Sequence, residues 1–263
     1  MAPQIKGPDG LHYLAEIYND NCTDFEYTEF ASYGPDDELY FGHLSIPKLK
    51  ISYEQFTSAL VRVPDEHLYP KAPPNIMIAP ESSANDLYIK RPRLTMYQVY
   101  KEANDHTIMP ALLIEEAVAL EIVSQHPHSN IVRYHGCRVR RDRITGLVLD
   151  RYASDLHKFM RKGVGKVDKS SFMEALESAV QHLHSHGMAH NDINPKNIMV
   201  NKDNMPVLVD FGSCNKIGDK LKTSGGTPAW IEGDHNEYKT SEAQHDLFAL
   251  GKIREWLDNP VFK

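Results

Sequence analysis

Cysteine is scarce in this 263-residue chain: Cys22, Cys137 and Cys214 stand far apart, with no C-x-x-C pair. That excludes a disulfide framework and a thiolate zinc site, and it fits a reducing compartment. Long hydrophobic runs are also missing. The most apolar stretch, 108–123, is broken by Glu115, Glu116 and Glu121, and no basic-then-apolar leader opens the chain. Basic charge is in deficit, with 29 Lys and Arg against 36 Asp and Glu, a net charge of −7. A surface that tracks nucleic-acid phosphates needs the opposite balance. The expectation is a cytoplasmic or nuclear protein with neither nucleic acid nor membrane as partner.

The 41% hydrophobic content is enough for a real core, and the length allows one large domain or two modest lobes. Residues 1 to about 50 are rich in Asp, Asn, Gly and Tyr with weak periodicity, and read as loops or an extension. The Pro-rich stretch 69–83 excludes a central strand. "DLYIKRPRL" (86–94) predicts a strand, and apolar positions 112, 113, 119, 120 and 123 predict a helix that starts at Pro110 and stops before His126-Pro127. "NIVRYHGCRVR" and "LVLDRY" read as two strands joined by the polar turn "RDRITG". A helix follows from Ser171, with Ser171 and Glu174 as a capping box, Phe172, Leu176, Val180 and Leu183 on one face and Gly187 as the stop. The last helix, about 241–257, carries Leu247, Leu250, Ile253 and Leu257 on one stripe.

The stretch "HNDINPKNIMVNKDNMPVLVDFGSC" (190–214) sets Asp192, Asn197 and Asp210 at the ends of two short apolar runs. Mg²⁺ prefers oxygen ligands, usually one or two carboxylates plus phosphate oxygens and water, so Asp210 and Asn197 are chemically apt to hold it. A separate acid, Asp192, is apt to accept a hydroxyl proton.

His190-Asn191-Asp192, with Asn197 five residues beyond the Asp, then Asp210-Phe211-Gly212, resembles the catalytic and magnesium loops of protein kinases. Further elements agree in order. Lys90 in "LYIKRP" is similar to the family's strand lysine and Glu116 to its helix partner. "HPHSNIVRYHGC" looks like the approach to strand four, "LVLDRY" like the adenine hinge, "GTPAW" (226–230) like the end of the activation segment and "HDLFALG" (245–251) like the start of the large buried helix. The resemblance covers roughly residues 55–260.

The resemblance implies an α+β, two-lobed fold: a small antiparallel-sheet lobe over 55–149 and a mainly helical large lobe over 150–263, truncated after the Asp246 helix, with 1–54 as an N-terminal extension. It implies ATP and Mg²⁺ as cofactors and a protein substrate or partner. Asp192 would orient and deprotonate a substrate hydroxyl, Asn197 and Asp210 would hold the metal, and Lys90, positioned by Glu116, would pin the α- and β-phosphates. Main-chain groups near Asp150 and Tyr152 would bind adenine, with Leu149 guarding the back of the pocket. Thr227 would contact the catalytic loop, and Asp246 would brace that loop's backbone.

The chain also departs from the family. No G-x-G-x-x-G precedes Lys90, and the only glycine between Tyr40 and Lys90 is Gly42. Asn191 stands where many kinases have arginine, so activation by a phosphorylated segment is not expected. Asn194 replaces the lysine that steadies the γ-phosphate, with Lys196 as the nearest substitute. "EGD" (232–234) replaces A-P-E, so Asp234 stands for the glutamate. The missing glycines and the short large lobe favour a pseudokinase as the alternative reading, with a small-molecule kinase third. His182, His184 and His186 are spaced i, i+2, which points helical side chains apart and argues against a metal site. Cys214 reads as an ordinary buried thiol, and "RVRRDR" (138–143) as a solvated hairpin tip.

Overall fold

The structure, a computed structural model, describes residues 2–19, 21–81, 86–163, 165–221, 226–234 and 238–262. In chain order the elements are β1 (Tyr13–Tyr18), β2 (Phe25–Tyr33), β3 (Leu39–Leu44), α1 (Tyr53–Ala59), β4 (Val61–Arg62), β5 (Leu87–Lys90), α2 (Tyr97–Glu102) and α3 (Ile108–Ser124). They continue with β6 (Tyr134–Arg140), β7 (Arg143–Asp150), β8 (Ser154–Asp155), α4 (Leu156–Lys162), α5 (Lys169–Ser185) and β9 (Met188–Ala189). β10 (Ile198–Val200), β11 (Pro206–Leu208), β12 (Asn215–Lys216) and α6 (Ala243–Asp258) follow among the described residues. The protein is a mixed α and β fold with an antiparallel-sheet N-terminal part and a helical part. It divides into two compact units, one made of 1–73, 91–111 and 139–145, the other of 74–90, 112–138 and 146–263.

The first unit overturns the expectation of loops before residue 50. Its four strands form an antiparallel sheet in the order β1-β2-β3-β4. The central strands β2 and β3 bury consecutive residues, so neither shows the polar–apolar alternation that marks a half-exposed strand. Phe30, Tyr40, Ile51, Phe56 and Leu60 form its core, with Phe30 meeting Phe56 edge-on at 4.7 Å. Gly42 belongs to this packing: a Cβ there would sit 2.6 Å from the Ala59 carbonyl oxygen. A capping box that the sequence reading missed starts α1, where Ser52 Oγ accepts the Gln55 N–H and Gln55 Oε1 accepts the Ser52 N–H. Buried Asp37 ties the unit's separate chain pieces together, taking Arg91 at 2.7 Å and the Thr145 hydroxyl at 3.0 Å.

Elsewhere the local reading needs adjustment. Over 69–81 no strand forms among the described residues, and 82–83 of the Pro-rich stretch lie outside them. β5 is shorter than predicted because Pro92 cannot supply a ladder N–H. The turn between β6 and β7 is only Arg141-Asp142, at φ of 50° and 58°, so the expected turn residues Arg143–Gly146 are strand instead. The tip is not merely solvated, since Arg141 grips the Asp65 carboxylate at 2.6 and 3.1 Å. α5 is capped by Asp168, whose carboxylate accepts the Ser171 N–H at 2.9 Å, not by Ser171 itself.

In the second unit β5, β7 and β6 lie side by side in that order, with Lys90 opposite Leu147. α5 buries Phe172, Leu176, Val180 and Leu183 as predicted and packs on β9, β11 and α6. On α6 the buried stripe is Asp246, Ala249, Leu250, Ile253 and Leu257, whereas Leu247 is exposed. The stripe therefore starts one residue earlier than the sequence reading placed it, on a carboxylate. No described helix is long and apolar enough to cross a membrane.

Candidate active site

All the central candidate residues fall in the second unit. α3 turns Glu116 inward because its neighbours Leu113, Ala117 and Leu120 are buried, while the adjacent Glu115 is only half-buried. The Lys90 Nζ lies 2.6 Å from Glu116 Oε1 and 2.7 Å from Asp210 Oδ1. Glu116 Oε1 also accepts the Phe211 N–H at 3.1 Å, which ties α3 to the Asp210 turn. Burial pulls the lysine pKa down, but the two carboxylates outweigh it and hold the ammonium above its ordinary value. Burial raises the Glu116 carboxyl, with Lys90 opposing and Asp210 adding to the rise. Two acids thus share one cation, and a further positive charge at Asp210 would be welcome there. Asp210 itself sits in the left-handed region at φ 65°, ψ 77°, a conformation sparsely populated by residues other than glycine.

The loop carrying Asp192 is built from amides. Asp192 Oδ1 accepts the Thr227 N–H at 2.8 Å and the Asn194 Nδ2 at 3.1 Å, and Oδ2 accepts the Asn197 Nδ2 at 2.9 Å. Asn197 Nδ2 also donates to the Asp192 carbonyl at 2.9 Å, leaving its amide oxygen as the atom suited to a cation. Backbone pairing of Val209 N–H with Asn197 C=O at 3.0 Å joins the Asn197 and Asp210 segments. Asn194 reaches the Thr227 hydroxyl at 3.2 Å, so a neutral amide stands between Asp192 and Thr227. Gly226 makes this approach possible: it has φ 77°, and a Cβ would lie 2.9 Å from the Asn191 carbonyl oxygen.

Asp246 is fully buried and accepts the N–H groups of His190 and Asn191, each at 2.8 Å, together with His184 Nε2 at 2.9 Å. The residue that the sequence reading undervalued is Asn191. Its Nδ2 is 2.9 Å from the Ala189 carbonyl, 3.0 Å from that of Ser213 and 3.0 Å from Ser241 Oγ. Its Oδ1 accepts the Glu242 N–H at 3.3 Å and lies 3.1 Å from His245 Nδ1, and its carbonyl accepts the Tyr238 hydroxyl at 3.2 Å. At φ 62° and 1% exposure the position suits a short amide, which tolerates the left-handed region, better than arginine. The signal available in sequence was an Asn between His and Asp where many kinases have arginine; its partners are scattered along the chain.

The remaining candidates are more dispersed. Lys196 is exposed, and its backbone N–H donates to Asn194 Oδ1 at 2.9 Å. Leu149 is buried at the end of β7. The Asp150 amide is already taken by the Arg133 carbonyl at 3.1 Å and its carboxylate lies 2.7 Å from His135 Nε2, so an adenine contact there would fall to its carbonyl. Tyr152 is half-buried, its hydroxyl pKa raised by burial and then by Asp150. Asp234 lies exposed in its loop. Cys214 is buried, and burial pushes its thiol pKa up. Among the described residues no three His, Cys, Asp or Glu side chains are arranged to hold a metal, the His182–His186 run included.

Comparison with known proteins matches residues 93–257 to the protein kinase domain. Death-associated protein kinase 2 of Mus musculus is 27% identical over 143 residues, 51% of this chain and 38% of that protein. Serine/threonine-protein kinase TAO3 of Xenopus laevis is 30% identical over 140 residues, 52% of this chain and 15% of that protein. The serine/threonine-protein kinase/endoribonuclease IRE1 of Hypocrea jecorina (strain QM6a) is 31% identical over 118 residues, 40% of this chain and 9% of that protein. The chain therefore spans well under half the length of these curated relatives.

Proposed function

We propose, from the premise that this chain belongs to the protein kinase superfamily, that it transfers the γ-phosphate of ATP to serine or threonine hydroxyls of protein. The observation that carries the reading is the Lys90 ammonium within 2.7 Å of both Glu116 and Asp210, beside a loop that fixes both oxygens of Asp192. The donor set fits magnesium: one carboxylate, Asp210, and one amide oxygen, Asn197, are hard ligands of the kind that ion accepts beside phosphate oxygens and water. When bound, the ion would neutralise charge on the phosphates.

The chain's own residues supply the rest. Lys90 holds a phosphate oxygen at a position set by Glu116. Asp192 orients the acceptor hydroxyl and takes its proton, and the amides of Asn194 and Asn197 keep the carboxylate aimed. Lys196 is the nearest cation on that loop for the γ-phosphate.

Radiolabelled transfer from ATP to the chain itself and to generic protein substrates tests this reading. Asp192→Ala is expected to lower transfer by at least about a hundredfold, the scale of a positioned general base. Transfer that survives both Asp192→Ala and Asp210→Ala would overturn the assignment.

One observation favours a second reading, a pseudokinase that binds partners without turnover. Gly42, the only glycine between Tyr40 and Lys90, is packed against Ala59 and Phe30, and no G-x-G-x-x-G precedes Lys90. Nucleotide-dependent stabilisation without any transfer would select it.

A further inference from the structure

Four imidazoles meet where the connection from α3 to β6 passes the C-terminal end of α5. His126 stacks on His186 at 4.0 Å, His128 lies 5.1 Å from His182, and His182 and His186, four residues apart on the helix, stand 4.6 Å from each other. The catalytic reading uses none of them. Two of the rings make bonds that neutral and charged imidazoles make alike: His182 Nε2 donates to the His126 carbonyl at 2.7 Å, and His186 Nδ1 donates to the His182 carbonyl at 2.8 Å.

His128 is bonded differently. Its Nδ1 accepts the Asn130 N–H at 3.1 Å, which leaves Nε2 to carry the ring proton and donate it to Ser178 Oγ of α5 at 3.2 Å. A second proton would set N–H against N–H, so the Asn130 bond belongs to the neutral ring. Asn130 is in turn fastened to β11, where its Nδ2 donates to the Pro206 carbonyl and its own carbonyl accepts the Leu208 N–H, each at 2.8 Å. The connection thus starts at the end of α3, the helix of Glu116, and is tied to the strand that leads into Asp210.

The charged neighbours leave the ring unaided. Glu121 at the end of α3 accepts the Tyr134 hydroxyl at 3.1 Å, Glu174 of α5 accepts the Ser170 hydroxyl at 3.0 Å, and Glu177 of α5 is paired with Arg254 of α6. β11 meets the connection through backbone and the Pro206 carbonyl. His182 is the side chain whose charge acts on His128.

We propose that His128 is a pH-sensitive latch: neutral, it holds the 126–130 connection in place on α5; protonated, it releases Asn130 and loosens the junction between α3 and β11 that sets Glu116 against Asp210. Burial first, then His182, lowers the His128 pKa from its ordinary 6.5. The unfolded chain therefore binds this proton more tightly than the fold does, and the latch's contribution is present above that value and lost as pH falls through it. The latch itself does not depend on the phosphotransferase reading; its effect on nucleotide does.

Amide hydrogen exchange of the full chain, read by mass spectrometry from about pH 7.5 to about pH 5.5 and corrected for the intrinsic rate, tests it. Peptides covering 128–132 are expected to lose protection about tenfold over that range, while those covering 176–183 of α5 keep theirs. His128→Asn supplies an oxygen that accepts the N–H two residues on and does not titrate, so its protection should be the same at both ends. His182→Gln keeps a donor for the His126 carbonyl and removes the opposing charge, so the loss should move to higher pH, an outcome that unfolding cannot imitate.

Unchanged protection of 128–132 in the parent chain, or an equal loss in His128→Asn, would overturn the proposal. So would loss in 176–183 at the same pH, which marks general acid unfolding. Stabilisation by ATP and magnesium, measured on the same samples, should weaken at the acid end in the parent and persist in His128→Asn. Its absence at every pH counts against the phosphotransferase reading and leaves the latch to the exchange data, whereas stabilisation with unchanged protection removes the latch alone.

Discussion

Lys90, Glu116 and Asp210 are held by charge; the Asp192 carboxylate is held by the amides of Asn194 and Asn197, on a loop whose backbone Asn191 braces. The first group contains one cation and two acids in a half-buried pocket, so its energy depends on protonation and on any ion that arrives. The second places neutral donors around a single carboxylate and fixes its direction with little dependence on charge. One region is thus poised to respond to a charged ligand, and the other to hold a geometry through its arrival. Replacing the family's arginine and lysine by Asn191 and Asn194 deepens this division, because it removes cations from the loop and leaves hydrogen bonds in their place.

The comparison can be broken most forcefully at its base. Asp246→Ala strips the acceptor from two buried N–H groups and from His184, and should cost about 3–5 kcal/mol in chemical denaturation, the scale of an uncompensated buried polar group. A loss under about 1 kcal/mol would mean that the loop does not depend on it. Lys90→Met should cost about 3 kcal/mol at neutral pH and abolish stabilisation by ATP and magnesium, since two acids are left facing each other.

That deficit has a pH signature. Glu116 is raised in the fold, so the native state binds its proton more tightly than the unfolded chain does. Without Lys90 the rise is larger, and protonation relieves the repulsion, so the Lys90→Met deficit should shrink as pH falls toward the unfolded carboxyl range. A deficit that grows on acidification contradicts the charged account.

Asn191→Ala sharpens the contrast. It should cost about 2–3 kcal/mol by removing the amide that donates to the carbonyls of Ala189 and Ser213 and to Ser241 Oγ, and lower transfer through Asp192. Stabilisation of the variant by ATP and magnesium should persist, unlike that of Lys90→Met. The smallest effect concerns His245, stacked on Tyr238 at 3.6 Å and lowered by burial against the opposing charges of Glu242, Asp246 and Glu232. Below its ordinary value of 6.5 the unfolded chain takes up protons that the fold refuses, so stability should fall as pH falls through that region. His245→Gln should flatten this acid limb in melting curves recorded against pH.

Much of the charged region was legible through the resemblance to the kinase family, which singled out Lys90 on its strand, Glu116 on the next helix and Asp210 in Asp-Phe-Gly; the structure brings the three together. The division of labour between Glu115 and Glu116 was not, since both are helix glutamates and only the burial of Leu113, Ala117 and Leu120 tells them apart. The amide region was half legible. Asn197 and Asp192 have a known spacing, but the partners of Asn191 lie between Ala189 and His245, and no local pattern announces them.

The N-terminal sheet was missed because β2 and β3 bury both faces and erase the period-two signal. The α6 stripe was read one residue late because a fully buried Asp246 looks polar to any hydrophobic pattern.

The central claim is that a lysine-held acid and a loop amide await a magnesium-bound nucleotide. Calorimetric titration of ATP into the full chain, with and without Mg²⁺ and beside Lys90→Met, tests it most directly. The account expects binding that requires the metal and is lost in Lys90→Met. Binding that ignores both, or no binding at millimolar nucleotide, would contradict it.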